Sequence, residues 1–180
     1  SILFRTNSLS TKLFRLYNQY EGHQYLHSLI GTYLNFIQQK FLRRISFQII
    51  YKRIDELTSE EEAINRSFVA KKVGAAFSLL MDFILGSMSS FPKGLKTICC
   101  TLSSAVGSKF GENSERTFLA GYFFLRFLVP ALTLPHLTLG MDASDDVQKL
   151  GVLLSRILQA AVVGKEFESE DMAYANEIID

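Results

Sequence analysis

The stretch Phe118-Leu119-Ala120-Gly121-Tyr122-Phe123-Phe124-Leu125-Arg126-Phe127-Leu128-Val129-Pro130-Ala131-Leu132-Thr133-Leu134-Pro135 decides what kind of fold this chain can adopt. With its continuation to Met141 it is about as long as a bilayer requires, roughly 20 apolar residues. Arg126 falls in its middle, however, where a membrane helix pays about 2.5–3.5 kcal/mol for a charge. Pro130 and Pro135 then interrupt helical hydrogen bonding. The favoured reading is a buried helix that ends at Val129, just before Pro130, followed by a loop from Ala131 to Ser144. The competing reading is a two-span membrane protein with a second span at Ser78–Gly86. That segment is short for a span and interrupted by Asp82, and the membrane reading predicts that the chain needs detergent.

The rest of the composition fits a globular fold. The 180 residues are 48% apolar and 21% charged, enough for one domain with a core and too ordered a mixture for disorder. Three prolines and eleven glycines beside abundant Leu, Ile and Phe favour helices over many short strands. A net charge of +1 provides no basic stripe for nucleic acid. The two cysteines, Cys99 and Cys100, are adjacent, so no disulfide framework is expected, which suits a reducing cytosol. No Lys/Arg-led signal peptide stands at the start.

Apolar spacing predicts helices along most of the chain. Asn7 or Ser8 can cap a helix reaching about Tyr20, with Leu9, Leu13, Leu16, Tyr17 and Tyr20 on one face. Glu21-Gly22 is expected to interrupt it. A second helix then begins near His23 and carries Leu26, Leu29, Ile30, Tyr33, Leu34 and Ile37. Residues 43–57 read as a loop with some helix. Ser59-Glu60-Glu61-Glu62 has the form of a capping box and opens the longest helix, to about Met88. Pro92 opens another, to about Phe110. Asn113 or Ser114 caps the helix ending at Val129. A further helix spans Asp145–Val163, and Ser169 begins a short acidic terminal one. The expected fold class is all-α, a single helical bundle domain.

Several chemistries are absent from the sequence. There is no Gly-x-x-x-x-Gly-Lys-(Ser/Thr) loop to hold a nucleoside triphosphate and no Gly-x-Ser-x-Gly nucleophile turn. His23 and His27, four residues apart, have no nearby third donor for zinc. Cys99 or Cys100 on an apolar helix reads as a small core residue. Two arginines remain, each in an apolar or small-residue setting where an unpartnered charge is costly. Arg5 lies in Ile2-Leu3-Phe4-Arg5-Thr6-Asn7-Ser8-Leu9-Ser10-Thr11-Lys12. Arg126 lies in Phe124-Leu125-Arg126-Phe127-Leu128-Val129-Pro130-Ala131. On the residues alone, Arg5 could equally be a solvated side chain. Arg126 could tie neighbouring carbonyls with its rigid fork of five donors.

These two segments together resemble the Ras GTPase-activating domain family, to which neurofibromin belongs. Its Leu-Phe-Arg-x-Asn-(Ser/Thr)-Leu-Ala-(Ser/Thr)-Lys loop carries an arginine finger, and its Phe-Leu-Arg-x-x-x-Pro-Ala-x-x-x-Pro helix end braces that loop. The resemblance is collinear over most of the chain. Gln24-Tyr25-Leu26 follows the first loop, then Phe91-Pro92-Lys93-Gly94-Leu95-Lys96-Thr97-Ile98-Cys99, which is similar to Phe-Pro-x-x-Leu-Arg-x-(Ile/Val)-Cys. Leu154-Ser155-Arg156-Ile157-Leu158-Gln159 resembles a (Met/Ala)-(Ser/Ala)-Lys-x-(Leu/Val)-Gln helix. Phe167, Met172 and Asn176 echo a Phe…Met…Asn ending.

The resemblance implies that residues 1–180 form the central catalytic part of such a domain, without its upstream helices. It implies a GTPase activator with no reaction of its own, one that accelerates GTP hydrolysis by a GTP-bound Ras-family partner. Arg5 would be the catalytic finger and Arg126 its brace. Leu3, Phe4, Thr6 and Asn7 would shape the partner-facing loop, and Leu125 would line the docking groove. Lys149, Arg156 and Gln159 would face the GTPase switch loops, although Lys149 reads equally well as a solvated helix charge. No cofactor or metal of its own is implied, because Mg²⁺ and GTP belong to the GTPase. The implied location is cytoplasmic, at the inner face of a membrane, through recruitment by other domains rather than an integral span.

The sequence also departs from the family pattern. Val129 replaces the Asn or Cys common before Pro-Ala, and Val163 stands where many members have Asn. Arg156 takes the place of a lysine. Glu166, Glu168, Glu170 and Asp171 surround Phe167, where members often have lysine, and an acidic rim would alter partner choice. Two other readings remain open: a scaffold of the same fold that binds active GTPases without accelerating hydrolysis, and a helical interaction module unrelated to GTPases.

Overall fold

The computed structural model describes residues 9–41, 59–169 and 172–179. They are helical with turns and contain no strand, as the composition led us to expect. The first helix, α1, runs from Leu9 to Phe36 and continues as a π-helical turn over Ile37–Phe41. It is one helix where two were expected. Glu21-Gly22 does not break it because Gly22 is an approach point: a Cβ there would fall on the Phe127 ring. Packing of a bare backbone against an aromatic ring outweighs the modest helix penalty of glycine, about 1 kcal/mol.

Continuity of α1 also fixes which side faces inward. Ile30, Leu26, Tyr25, Gly22 and Asn18 form one buried stripe at helical spacing. Extending that phase back to the start turns Leu9, Leu13, Leu16 and Tyr20 outward, and these side chains are 57–83% exposed. The expected apolar face at this end of α1 is therefore exposed, with only Tyr17 half-buried.

Helix α2 (Ser59–Ser87) matches the expected longest helix. It lies antiparallel to α1, as two tyrosines show: Tyr33 Oη donates to the Ala76 carbonyl (2.9 Å), and Tyr25 Oη shares a hydrogen bond with Ser87 Oγ (2.7 Å). Between them Leu29, Ile30, Val73, Ala76, Leu80 and Ile84 are buried. Helix α3 (Lys93–Phe110) starts one residue later than expected, with Pro92 flanking it. Helix α4 (Glu112–Ala120) follows a left-handed Gly111 (φ 87°), so the chain re-enters helix before the expected caps Asn113 and Ser114.

From Gly121 to Leu128 the helix widens into a π-helical segment and resumes as α5 (Val129–Thr133). Pro130 does not end it. The Val129 N–H bonds to the Phe124 carbonyl five residues back, and Pro130 then occupies the first turn of α5, where a missing N–H costs little. The expected loop from Ala131 to Ser144 is also partly helical. Pro135 opens α6 (Pro135–Leu139), which Gly140 ends at φ 65°.

Helix α7 (Asp145–Val163) has the expected bounds. Asp145 and Asp146 suit its positive end. Gly164 closes it in a left-handed turn, with Gly164 N–H bonded to the Ala161 carbonyl and Lys165 N–H to that of Ala160. The terminal element is α8 (Asn176–Ile179), preceded by a 3₁₀ turn at Ala173–Ala175, so it starts later than Ser169. The expectations for residues 43–57, for an Asn7 or Ser8 cap and for Glu170 and Asp171 lie outside the described residues.

Burial of ionisable groups gives this core an alkaline limit. Desolvation raises the phenols of Tyr33 and Tyr122 above their ordinary range and pushes the Cys99 thiol up to about 11, with the neighbouring Cys100 adding to the latter. Each group holds its proton more tightly folded than unfolded. Its stabilisation is therefore complete below the ordinary value, 9.0 for the thiol and 10.0 for the phenols, and is lost as pH rises through the folded value. The urea midpoint is expected to fall steadily above about pH 9. Tyr33→Phe should flatten that fall while costing about 1 kcal/mol at pH 7 from the lost bond to Ala76. Urea titrations of both proteins from pH 7 to 11 check this, and identical slopes would refute it.

Candidate functional site

The motif residues separate cleanly by role. Their aromatic members meet inside: the Phe91 ring lies 5.3 Å from Tyr25, 5.7 Å from Phe123 and 6.0 Å from Phe127. Tyr25 also stacks on Phe127 at 6.2 Å. The segments holding Gln24-Tyr25-Leu26, Phe91-Pro92 and Phe123–Phe127 are thereby fastened into one aromatic cluster. That cluster sets the pose of the π-helical segment. Phe127 and Leu128 point into the core, Leu125 is half-buried, and Arg126 is exposed. Arg126 has an interaction partner.

The same segment is pinned to the start of α1. Tyr122 Oη donates to Asn18 Oδ1 at 2.8 Å, and the Phe14 and Tyr122 rings are 5.2 Å apart. Asn18 is buried, and its carbonyl oxygen is satisfied by this bond. The start of α1, which follows residues 3–7 in the sequence, is thus fastened to the segment of Leu125 and Arg126. Leu3, Phe4, Arg5, Thr6 and Asn7 themselves lie outside the described residues.

Helix α7 supplies the remaining predicted residues. Val147, Leu150, Leu153, Leu154, Ile157 and Leu158 are buried, with Gly151 and Ser155 between them. Lys149, Val152, Arg156 and Gln159 are exposed and follow one another by three, four and three residues, the spacing of a single solvent-facing stripe. The three predicted residues on α7 therefore share one face. Because α7 packs on the π-helical segment and on α5, that helix and the Leu125–Arg126 segment are neighbours. Thr133 Oγ1 and Ser155 Oγ, 3.2 Å apart, join α5 to α7.

Spacing alone missed the residues that set these distances. Gly151 is one, since a Cβ there would fall on the Leu132 carbonyl oxygen, so α7 and α5 touch backbone to backbone. A glycine between Leu150 and Val152 in an apolar helix was the available signal. The Asn18–Tyr122 bond is another, and its only sequence signal is a polar residue in the phase of the buried stripe. His23 and His27 stack at 6.1 Å on the exposed side of α1. No group of three metal-ligating side chains occurs among the described residues. No helix among them is long and apolar enough to cross a membrane.

The described residues thus form a helical domain whose aromatic cluster holds the Arg126-bearing π-helical segment beside the α7 stripe that carries Lys149, Arg156 and Gln159. Residues 1–162 match the family described as RasGAP, GTPase-activator protein for Ras-like GTPase, and the chain belongs to that family. Among curated proteins it is similar to the human Ras GTPase-activating protein nGAP, at 24% identity over 99% of the chain. It is also similar to the mouse RasGAP-activating-like protein 1, 28% identical over 84% of the chain, and to the inhibitory regulator protein IRA1 of Saccharomyces cerevisiae, 28% identical over 91%. The chain spans 15%, 20% and 5% of the lengths of these three relatives.

Proposed function

We propose that this chain stimulates GTP hydrolysis by a Ras-like small GTPase and does so by placing Arg5 in the partner's active site. The observation that carries this reading is the fastening of the start of α1 to the Leu125–Arg126 segment through Asn18, Phe14 and Tyr122. It brings the helix that follows Arg5 in the sequence to the segment whose arginine would brace the residues around Arg5. A guanidinium is permanently charged and presents donors in a plane, which suits it to the charge developing on a transferring phosphoryl group. The GTPase supplies GTP, Mg²⁺ and the attacking water, and the chain contributes one charge and its position. Leu3, Phe4, Thr6 and Asn7 shape the loop around Arg5. Leu125 lines the docking groove. Lys149, Arg156 and Gln159 extend the contact along α7 toward acidic switch residues. The chain works in the cytoplasm, at a membrane face to which other segments of its protein recruit it.

Single-turnover GTP hydrolysis by a panel of GTP-loaded Ras-family GTPases, with the chain in excess, tests the proposal. Strong acceleration of at least one member is expected. Binding without acceleration would instead establish the scaffold reading, and neither would leave a helical module unrelated to GTPases. In the same assay Arg126→Ala should lower the stimulated rate by about 10²-fold, the scale of a misplacement of roughly 1 Å. Full activity in Arg126→Ala would refute the bracing role.

A further inference from the structure

The chain beyond α7 folds back on the cationic stripe in a specific way. After the left-handed turn at Gly164, Phe167 is held by both of its backbone groups. Its N–H donates to Asn176 Oδ1 at 2.8 Å, and its carbonyl accepts from Asn176 Nδ2 at 3.1 Å. One amide side chain thus fixes the backbone of Phe167, as a neighbouring strand would. The anchor is rooted in the core, because Met172 and Ala175 beside it are 3% and 0% exposed. The ring so fixed lies under the Arg156 guanidinium, whose central carbon is 6.0 Å from the ring centroid. Arg156 belongs to the exposed stripe shared with Lys149 and Gln159.

We infer that Phe167 and Asn176 are positioning residues for Arg156, holding its guanidinium ready for a carboxylate on the docking GTPase. The inference rests on the function proposed above. An exposed arginine samples many rotamers, and ordering it on binding costs affinity. An aromatic face beneath the guanidinium removes part of that cost before the partner arrives, and the flat, weakly hydrated guanidinium stacks better than an ammonium would. The two bonds from the Asn176 side chain to the Phe167 backbone, together with the packing of the ring against the core, hold the loop from Gly164 in place beneath Arg156. Glu166 and Glu168 are exposed on either side of Phe167, and Lys165 is exposed beside them, so Arg156 lies over the ring at a rim of mixed charge.

The test uses the full chain and the GTPase that responds best to it. Phe167→Leu should raise the half-saturating concentration of GTPase about two- to fivefold, the range of an exposed cation–π contact, and retain the rate at saturation. Phe167→Tyr should restore the wild-type value. In a double-mutant cycle with Arg156→Ala, the Phe167→Leu effect on that half-saturating concentration should vanish, because the ring reaches the GTPase only through the guanidinium, while its packing against the core is common to both backgrounds. A second readout needs no GTPase. The Arg156 side-chain protons should show an upfield ring-current shift by NMR in the free chain, lost in Phe167→Leu and reduced in Asn176→Ala. Additive effects in the cycle, or an Arg156 spectrum unchanged by Phe167→Leu, would overturn the inference while stimulation by the wild-type chain stands. If the wild-type chain stimulates no GTPase, the function it rests on fails and the inference falls with it.

Discussion

Arg5→Ala is expected to abolish nearly all stimulated hydrolysis while changing the affinity for the GTP-loaded GTPase only a few-fold. The asymmetry follows from where the arginine acts in the function proposed above. Before the reaction, its guanidinium meets phosphates already neutralised by Mg²⁺ and the GTPase's own groups. In the transition state, charge spreads onto the equatorial oxygens, and a fixed cation in a water-excluded site is worth far more there than in the ground state. For Ras-type GTPases given an arginine in trans, the known gain is about 10³–10⁵ in rate, and the expected loss is of that order. Arg5→Lys should recover little, since a point charge on a flexible stem reproduces neither the plane nor the paired donors. The measurement is a single-turnover rate at saturating chain beside a binding titration on the same samples. If acceleration persists in Arg5→Ala, Arg5 is not the finger. If binding collapses together with the rate, the residue holds the loop or the complex rather than the transition state.

Much of this architecture was legible in the sequence, and the unread parts share a cause. Helix α7 was readable to its ends because everything that specifies it is local. It has a clean amphipathic pattern, two aspartates in its first turn and a glycine just past its last residue. Helix α1 was misread as two helices because the reason for Gly22 lies in Phe127, more than a hundred residues away. Misplacing that break also misplaced the inward face, since two separate helices may each choose a phase and one helix may not. Pro130 was misread for a related reason. Its cost depends on whether the preceding turn is α or π, which is decided by how Phe123 and Phe127 pack against Phe91. The resemblance to a family pointed to the segments of the proposed site without revealing how they are held. Asn18 and Gly151 match no chemistry-bearing pattern, yet they fasten the elements that carry Arg126, Lys149 and Arg156, while Asn176, part of the Phe…Met…Asn ending, holds the backbone of Phe167.

That division of labour makes Gly151 the position where a small change should do most harm to the fold. In an exposed helix, replacing glycine by alanine stabilises by up to about 1 kcal/mol, because the unfolded chain loses conformational freedom. At Gly151 a Cβ would fall on the Leu132 carbonyl oxygen, a backbone atom of α5 that cannot turn aside as a side chain would. Relief requires moving α7 away from α5. That opens the layer formed by Leu150, Leu154, Leu128 and Leu132, all 2% exposed or less. Gly151→Ala is therefore expected to destabilise by about 1–3 kcal/mol, the cost of overpacking, and Gly151→Val by more. For a chain of this size the alanine variant should lower Tm by roughly 2–12 °C. Gly86 is the contrast, with nothing within 4 Å of its added Cβ near the end of α2, and Gly86→Ala should be neutral or slightly stabilising. The same displacement of α7 would carry Lys149, Arg156 and Gln159 away from the Leu125–Arg126 segment. Gly151→Ala should therefore raise the half-saturating GTPase concentration at temperatures where the chain is still fully folded, whereas Gly86→Ala should not. Equal melting curves for the two variants would show that the α5–α7 contact can relax without cost, and that the spacing of the docking face is set elsewhere.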